Sequence, residues 1–121
     1  MSFPFLGANF LGMSSYKTYE RLATEMLLAS GHHLVAKDYR MGRYQADVIT
    51  KKDGVLFVVE VKYRKCVPQE AWLWVDPRQI QRLLLLGASL LRDHQCSEVE
   101  VWLVGFSPEL DTPILRPLDV N

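Results

Sequence analysis

The part of the sequence that most constrains the fold is a predicted hairpin whose strands carry polar residues at otherwise apolar positions. Asp53-Gly54 separates two runs rich in β-branched and apolar residues, 45–51 and 55–64. Asp-Gly between such runs favours a two-residue turn that joins antiparallel strands. The turn therefore predicts both the hairpin and the pairing of its residues.

Counting outward from that turn brings two carboxylates together. The pairing sets Asp47 opposite Glu60 and Gln45 opposite Lys62, and all four side chains then project from one face. Directly opposed like charges in an antiparallel pair are destabilising. We therefore expect either a divalent metal between Asp47 and Glu60 or a solvated ladder of cross-strand ion pairs. The valines of both runs favour the metal, because unpaired carboxylates in a buried sheet are costly.

The remaining periodicities predict an α/β domain with the element order α-β-β-β-α-β. Besides the hairpin, we expect a helix over 15–30, a strand over 32–40, a helix over 76–93 and a strand over 98–106. Asp76 and Pro77 are typical of a helix N-cap and first helical position. Residues 1–14 are predicted to form an N-terminal arm. Residues 15–106 form the domain, and residues 107–121 are its C-terminal extension, which includes at most a short edge segment.

Composition places the chain among ordinary globular proteins. Of the 121 residues, 49% are hydrophobic and 23% are charged, values expected of one folded domain. No apolar run reaches the roughly 18 residues that span a bilayer, and the first residues do not resemble a secretory signal. The two cysteines show no metal-binding or redox spacing. We therefore expect a cytoplasmic protein without a membrane association.

The distribution of charge is more informative than its total. The chain has 14 basic and 14 acidic residues. However, residues 37–82 contain ten basic and six acidic residues, whereas residues 93–121 contain one basic and six acidic residues. A local excess of positive charge around the predicted metal site favours a polyanionic partner such as DNA.

Several motifs together resemble a known family. They are Tyr19-Glu20-Arg21-Leu22-Ala23, Gly31, Asp38-Tyr39-Arg40, Gln45-Ala46-Asp47-Val48-Ile49, Phe57-Val58-Val59-Glu60-Val61-Lys62-Tyr63-Arg64, and Arg78-Gln79-Ile80-Gln81-Arg82-Leu83 with Ala88. The Asp…Glu-x-Lys core resembles the PD-(D/E)XK nuclease superfamily, which includes restriction endonucleases and archaeal Holliday junction resolvases. The whole set, over roughly residues 16–106, is similar to the YraN family of small predicted endonucleases. The resemblance implies a restriction endonuclease-like fold with a central mixed sheet flanked by helices.

The resemblance also implies roles for individual residues. Asp47 and Glu60 would bind Mg²⁺ or Mn²⁺, the Val61 carbonyl would complete the coordination, and Lys62 would help to activate the hydrolytic water. Glu20 matches an extra acidic ligand in related resolvases, although it is equally consistent with an exposed helix acid. Gln79 matches a polar residue that lies beside the substrate.

Basic and aromatic residues supply candidate DNA contacts. The candidate contacts to the DNA backbone are Arg40, Arg43, Lys51, Lys52, Arg64, Arg78 and Arg82. Trp72 and Trp74 could stack on unpaired bases or pack in a dimer interface, and we favour the interface.

The expected function is Mg²⁺-dependent cleavage of structured or branched DNA by a homodimer, because cutting both strands of a junction calls for two sites. Two departures from the family count against full activity: Gln45 stands where the family carries an acid, and Arg78 stands where it carries lysine. Gln45, the zero net charge and the acidic C-terminal tail favour an alternative. The alternative is a weak or inactive nuclease-fold module that binds DNA or a protein partner in a DNA-processing complex. In such a complex, the N-terminal arm would be the docking segment.

Overall fold

Residues 16–70 and 73–118, the part of the chain that the computed structural model describes, form a mixed five-stranded sheet with a helix on each face. In chain order the elements are α1 (Tyr16–Ala29), β1 (His33–Met41), β2 (Tyr44–Lys52), β3 (Val55–Tyr63), α2 (Pro77–Ala88), β4 (Glu98–Phe106) and β5 (Ile114–Leu118). The predicted α-β-β-β-α-β order is confirmed. The predicted arm, residues 1–14, and Trp72 lie outside the described residues.

The strands lie in the sheet in the same order as in the sequence. β1–β2, β2–β3 and β4–β5 pair antiparallel, whereas β3–β4 pair parallel. The parallel pair follows from α2, since a helical crossover returns the chain to the same end of the sheet. β5 supplies the edge segment expected in the C-terminal extension.

The turn between β2 and β3 has the predicted geometry. Asp53 and Gly54 both have positive φ, 53° and 78°, as the favoured two-residue hairpin turn requires. The pairing runs from Lys52↔Val55 to Val48↔Val59, which confirms the predicted register over this stretch.

Helix α1 covers one face of the sheet with an apolar stripe. Tyr19, Leu22, Ala23 and Leu27 are buried, and they pack with a second set of buried residues: Val48, Val59, Val61, Val104 and Phe106. The spacing of the stripe matches the period of a helix that buries one side. Glu20 lies beside this stripe and is buried with it.

Helix α2 covers the other face and is shorter than predicted. Asp76 is its N-cap and accepts a hydrogen bond from the Arg78 N–H at 2.8 Å. The helix was predicted to reach residue 93, but it ends at Ala88. The Ser89 hydroxyl donates to the Leu86 carbonyl at 2.6 Å, which satisfies an acceptor at the helix end, and the chain continues in turns.

Helix α2 also lies unusually close to the sheet. A Cβ added to Gly87 would lie 2.6 Å from Val99 Cγ1 and 2.8 Å from Val58 Cγ2, so a glycine is needed for this approach. Neither helix of the described residues is long and apolar enough to cross a bilayer.

Candidate active site

The β2–β3 ladder ends where the candidate site begins. The last backbone pair of the ladder is Val48↔Val59. Beyond it, the Val61 N–H donates to Asp47 Oδ2 at 2.8 Å, so a side-chain oxygen is the acceptor instead of a backbone carbonyl. Ala46 packs in the core under α2, whereas Val48 packs in the core under α1, so the alternation of the strand is interrupted at Asp47.

This break corrects the predicted arrangement of four side chains on one face. The Asp47–Glu60 and Gln45–Lys62 oppositions are not pairs of the observed register. Asp47 instead lies between Glu20 and Asp38 on the side of α1 and Glu60 on the side of α2. Gln45 is exposed, pairs with Arg40 of β1, and lines a groove beside α2.

Glu60 is a buried carboxylate that contacts an amide of α2 and a lysine of β3. It is 3% exposed, accepts a hydrogen bond from the Gln79 side-chain amide, and lies with Oε2 3.6 Å from Lys62 Nζ. Burial first, and then the neighbouring Asp47 carboxylate, raise the pKa of Glu60 to about 9, whereas Lys62 acts in the opposite direction. Without a cation, Glu60 therefore holds a proton near neutral pH.

Glu20 enters the same region from the other face. It is 1% exposed, so the interpretation as an exposed helix acid is wrong. Neither of its carboxylate oxygens has a hydrogen-bond partner among the described residues, and Lys17 Nζ lies 3.7 Å from Oε1. Burial, and then the nearby Asp38 and Asp47, raise the pKa of Glu20 to about 7.

Asp38 is a neighbour of the site that the sequence reasoning did not single out. The pairs Lys37↔Val48 and Tyr39↔Ala46 place it across from Asp47 in the β1–β2 hairpin. Its φ of +50° is uncommon for a non-glycine residue inside a strand. Counting residue pairs outward from the turn at Gly42 also places Asp38 opposite Asp47.

The Val61 carbonyl, an expected metal ligand, has a donor from α1. The Tyr16 hydroxyl donates to it at 3.3 Å. Burial, and then the Asp47 carboxylate, raise the pKa of Tyr16 above its ordinary value. The hydroxyl therefore stays protonated and can donate here.

The donor set fits a hard divalent cation. Its available ligands are carboxylate and carbonyl oxygens, the kind that Mg²⁺ and Mn²⁺ prefer. The clearest sign is the pair of buried Glu20 oxygens without hydrogen-bond donors, because an uncompensated buried carboxylate is costly. A bound cation would compensate these charges.

A basic groove adjoins the acidic residues at the N-terminus of α2. Two cavities of about 460 and 490 Å³ share Asp76, Arg78 and Gln79 as lining residues. Arg43 and Arg82 line the first cavity, and Lys62, Arg64 and Trp74 line the second. The groove therefore passes the Gln79–Glu60 hydrogen bond.

The candidate DNA contacts separate into two groups. Arg43, Arg64, Arg78 and Arg82 line the groove, and Arg40 is exposed on β1 beside Gln45. Lys51 and Lys52 lie at the other end of β2, by the hairpin turn, where Lys52 Nζ donates to the Ser30 carbonyl at 2.8 Å. This second group is remote from the acidic residues.

Trp74 is a core residue, so both interpretations of it, as a base-stacking or a dimer-interface residue, are wrong. It is 2% exposed, and a Cβ added to Gly105 would lie 2.9 Å from its ring. The Arg64 guanidinium lies 5.9 Å from the ring centroid and donates to the Trp74 carbonyl at 3.1 Å. Trp74 thus anchors Arg64 at the groove.

Comparison with known proteins identifies the family. The model of the uncharacterised protein family UPF0102 matches residues 19–104. The chain belongs to UPF0102. The predicted resemblance to the YraN family, which is this family, is thereby confirmed.

Relatives within UPF0102 differ in length. A UPF0102 protein of Granulibacter bethesdensis is 33% identical over 75 residues, covering 62% of this chain and 47% of the relative. A UPF0102 protein of Thermus thermophilus is 35% identical over 95 residues, covering 74% of this chain and 82% of the relative. The chain spans about half the length of several relatives that it matches, including those of Granulibacter and Bradyrhizobium.

A solved structure shares the fold. Hjc, a Holliday junction resolvase of Archaeoglobus fulgidus, superposes with a TM-score of 0.54 at 17% identity, covering 86% of this chain and 76% of Hjc. The predicted restriction endonuclease-like fold is thus confirmed for this member of UPF0102.

Proposed function

We propose that this UPF0102 protein is a divalent-metal-dependent endonuclease that hydrolyses phosphodiester bonds in structured or branched DNA. The observation that supports it most is the buried pair of acids, Asp47 and Glu60, with Lys62 Nζ 3.6 Å from Glu60 Oε2 beside a groove lined by arginines. The fold shared with a Holliday junction resolvase favours branched DNA as the substrate.

Asp47, Glu60 and the Val61 carbonyl would hold Mg²⁺ or Mn²⁺, with Glu20 as a further carboxylate. Such a metal, when bound, polarises the scissile phosphate and lowers the pKa of a coordinated water. Lys62 would stabilise the negative charge that develops on the phosphate oxygens or orient the attacking water. Gln79 holds the Glu60 carboxylate through its amide, which orients that ligand.

The groove would position the DNA backbone. Arg43 and Arg82 line one cavity, Lys62 and Arg64 line the other, and Arg78 lines both together with Gln79. Arginine contacts to phosphates fix the register of the substrate without reading its sequence, which suits an enzyme that recognises the shape of a junction. Cleavage of both strands would require two copies of the site, and therefore a symmetric homodimer.

The test is Mg²⁺- or Mn²⁺-dependent cleavage of junction, flap, duplex and single-stranded substrates by the full chain. Lys62→Ala should slow cleavage by about 10²–10³-fold, the usual effect of removing one group that stabilises the transition state. Asp47→Asn should abolish metal-dependent cleavage. Lys65→Ala is the matched control, since Lys65 is exposed on the loop that follows β3, and it should cleave like the wild type.

Two results would count against this proposal. Cleavage that persists in both Lys62→Ala and Asp47→Asn would reject the site. Salt-sensitive DNA binding without any metal-dependent cleavage would instead establish a DNA-binding module, the alternative that the exposed Gln45 favours.

A further inference from the structure

A cavity of about 270 Å³ lies on the α1 side of the sheet, beside the β2–β3 turn. Its lining includes Leu27 of α1, Phe57 of β3, Trp102 of β4 and Leu115 of β5. None of its lining residues belongs to the groove or to the acidic residues around Asp47. The cavity is therefore separate from the candidate active site.

Aromatic side chains give the cavity a rigid apolar lining. The Phe57 and Trp102 rings lie almost parallel, at 5°, with their centroids 6.1 Å apart, and the His32 ring meets Phe57 edge-on at 4.5 Å. His32 is held in turn by Thr50, because its Nδ1 lies 2.7 Å from the Thr50 hydroxyl oxygen. Leu115 is 42% exposed, and exposed apolar surface rimmed by polar groups is typical of an interaction site.

The polar groups at the cavity do not favour an anionic occupant. Lys52 Nζ donates to the Ser30 carbonyl at 2.8 Å, and Trp102 Nε1 donates to Glu100 Oε1 at 2.9 Å. Asp53 is exposed and contributes to the lining, where its carboxylate opposes a phosphate. The cavity therefore suits an uncharged apolar segment rather than the backbone of DNA.

The first residues of the chain have the matching chemistry. Residues 1–14 contain no Asp, Glu, Lys or Arg, and they carry Phe or Leu at five positions: Phe3, Phe5, Leu6, Phe10 and Leu11. Pro4 favours an extended backbone at Phe3, and alternate side chains of an extended segment share one side. Phe3 and Phe5 would therefore face the same surface.

The length of this segment is sufficient to reach the cavity. Helix α1 begins at Tyr16, beside Val61, and Leu27 at the cavity lies eleven residues further along the helix, about 16 Å at the rise of an α-helix. Phe5 also lies eleven residues from Tyr16, a separation that an extended chain covers up to about 36 Å. The segment can therefore return along α1 to the cavity.

We propose that this cavity is the docking site of the N-terminal segment of the same chain, with Phe3 and Phe5 packed against Phe57, Trp102 and Leu115. The residues of the cavity belong neither to the metal site nor to the groove, so docking goes beyond the proposed function and does not depend on it. Docking covers the apolar surface that the described residues leave exposed at β4 and β5. It also makes the segment unavailable to a protein partner.

The experiment is photo-crosslinking of the full chain with p-benzoylphenylalanine in place of Phe5, mixed with an equal amount of nitrogen-15-labelled wild type. The benzophenone inserts into C–H bonds that it contacts, and mass spectrometry identifies the attached peptide. We expect an unlabelled peptide, from the same chain, that contains Phe57, Trp102 or Leu115. Attachment to a labelled peptide would overturn the inference in favour of a second copy of the chain. Attachment to another surface, or to none, would also overturn it.

Two leucine substitutions test the cavity without changing the segment that docks. Leu115→Asp places a carboxylate in the cavity at a position that is 42% exposed, and it should reduce the yield of the crosslink by about fivefold or more, because burying an unpaired charge is costly. Leu85→Asp is the matched control: Leu85 is 58% exposed on α2, which covers the other face, and the yield should not change. Equal yields in the two leucine variants would contradict the docking site.

Discussion

Buried acids dominate the chemistry of this protein at the scale of single residues. The pKa of Glu20 is raised from 4.5 to about 7, and the pKa of Glu60 is raised from 4.5 to about 9. Burial is the largest cause in each case. Asp47 contributes to both shifts because it lies near each of them. The metal-free fold therefore favours protons or a cation at this site.

The stability of the metal-free chain should fall as the pH rises from about 5 to about 9. In this window the folded state binds more protons than the unfolded state, because the folded pKa values are higher. The stabilising effect is complete below the unfolded pKa and is lost as the pH rises through the folded values. Thermal unfolding at several pH values would measure the slope.

Substitutions test whether the pH dependence of stability comes from Glu60. Glu60→Gln should flatten the pH dependence, whereas Glu98→Gln, at an exposed position of β4, should leave it unchanged. Added Mn²⁺ should stabilise the wild type more at pH 8 than at pH 6, because binding requires deprotonated ligands. An equal slope in Glu60→Gln and the wild type would contradict the assignment.

At the scale of elements, the start of α2 links stability to the charge of the groove. Asp76 caps the helix and pairs with Arg78 at 3.2 Å. Because the same carboxylate lines both cavities of the groove, it also opposes an approaching phosphate. The cap thus stabilises the helix and reduces the positive potential that DNA would meet.

Two substitutions of Asp76 should separate these effects. Asp76→Ala removes both the cap and the charge, and should lower the free energy of unfolding by about 1 kcal/mol. Asp76→Asn keeps a capping side chain and should leave stability nearly unchanged. Both should tighten DNA binding at low salt. Urea unfolding and fluorescence anisotropy would test this, and weaker DNA binding by Asp76→Asn would refute the repulsive role of the carboxylate.

Local signals in the sequence were sufficient for most elements but not for the break at Asp47. The turn at Asp53-Gly54 and the cap at Asp76 depend on neighbouring residues, so both were predicted correctly. The Asp47–Val61 hydrogen bond and the burial of Trp74 against Gly105 depend on contacts between distant segments. Such tertiary contacts leave no periodic signal in a single sequence.

At the scale of the whole molecule, basic residues at the two ends of the sheet should differ in function. Arg43→Ala in the groove should weaken DNA binding and reduce the slope of log affinity against log salt by about 1, the value for one phosphate contact. Lys51→Ala, by the remote hairpin turn, should change neither quantity. Titrations of DNA with each variant at several salt concentrations would measure both quantities. Equal losses of DNA affinity in Arg43→Ala and Lys51→Ala would argue against the groove as the path of DNA.

The hydrogen bond from the Val61 N–H to the Asp47 carboxylate has a spectroscopic consequence. The Val61 N–H donates to a carboxylate, and an amide proton bonded to a charged acceptor resonates at a frequency that depends on that charge. Protonation of Asp47, or its coordination to a cation, would therefore shift one peak in a nitrogen-15 correlation spectrum. The sheet thus contains its own reporter of the state of the site, without an attached probe or a substrate.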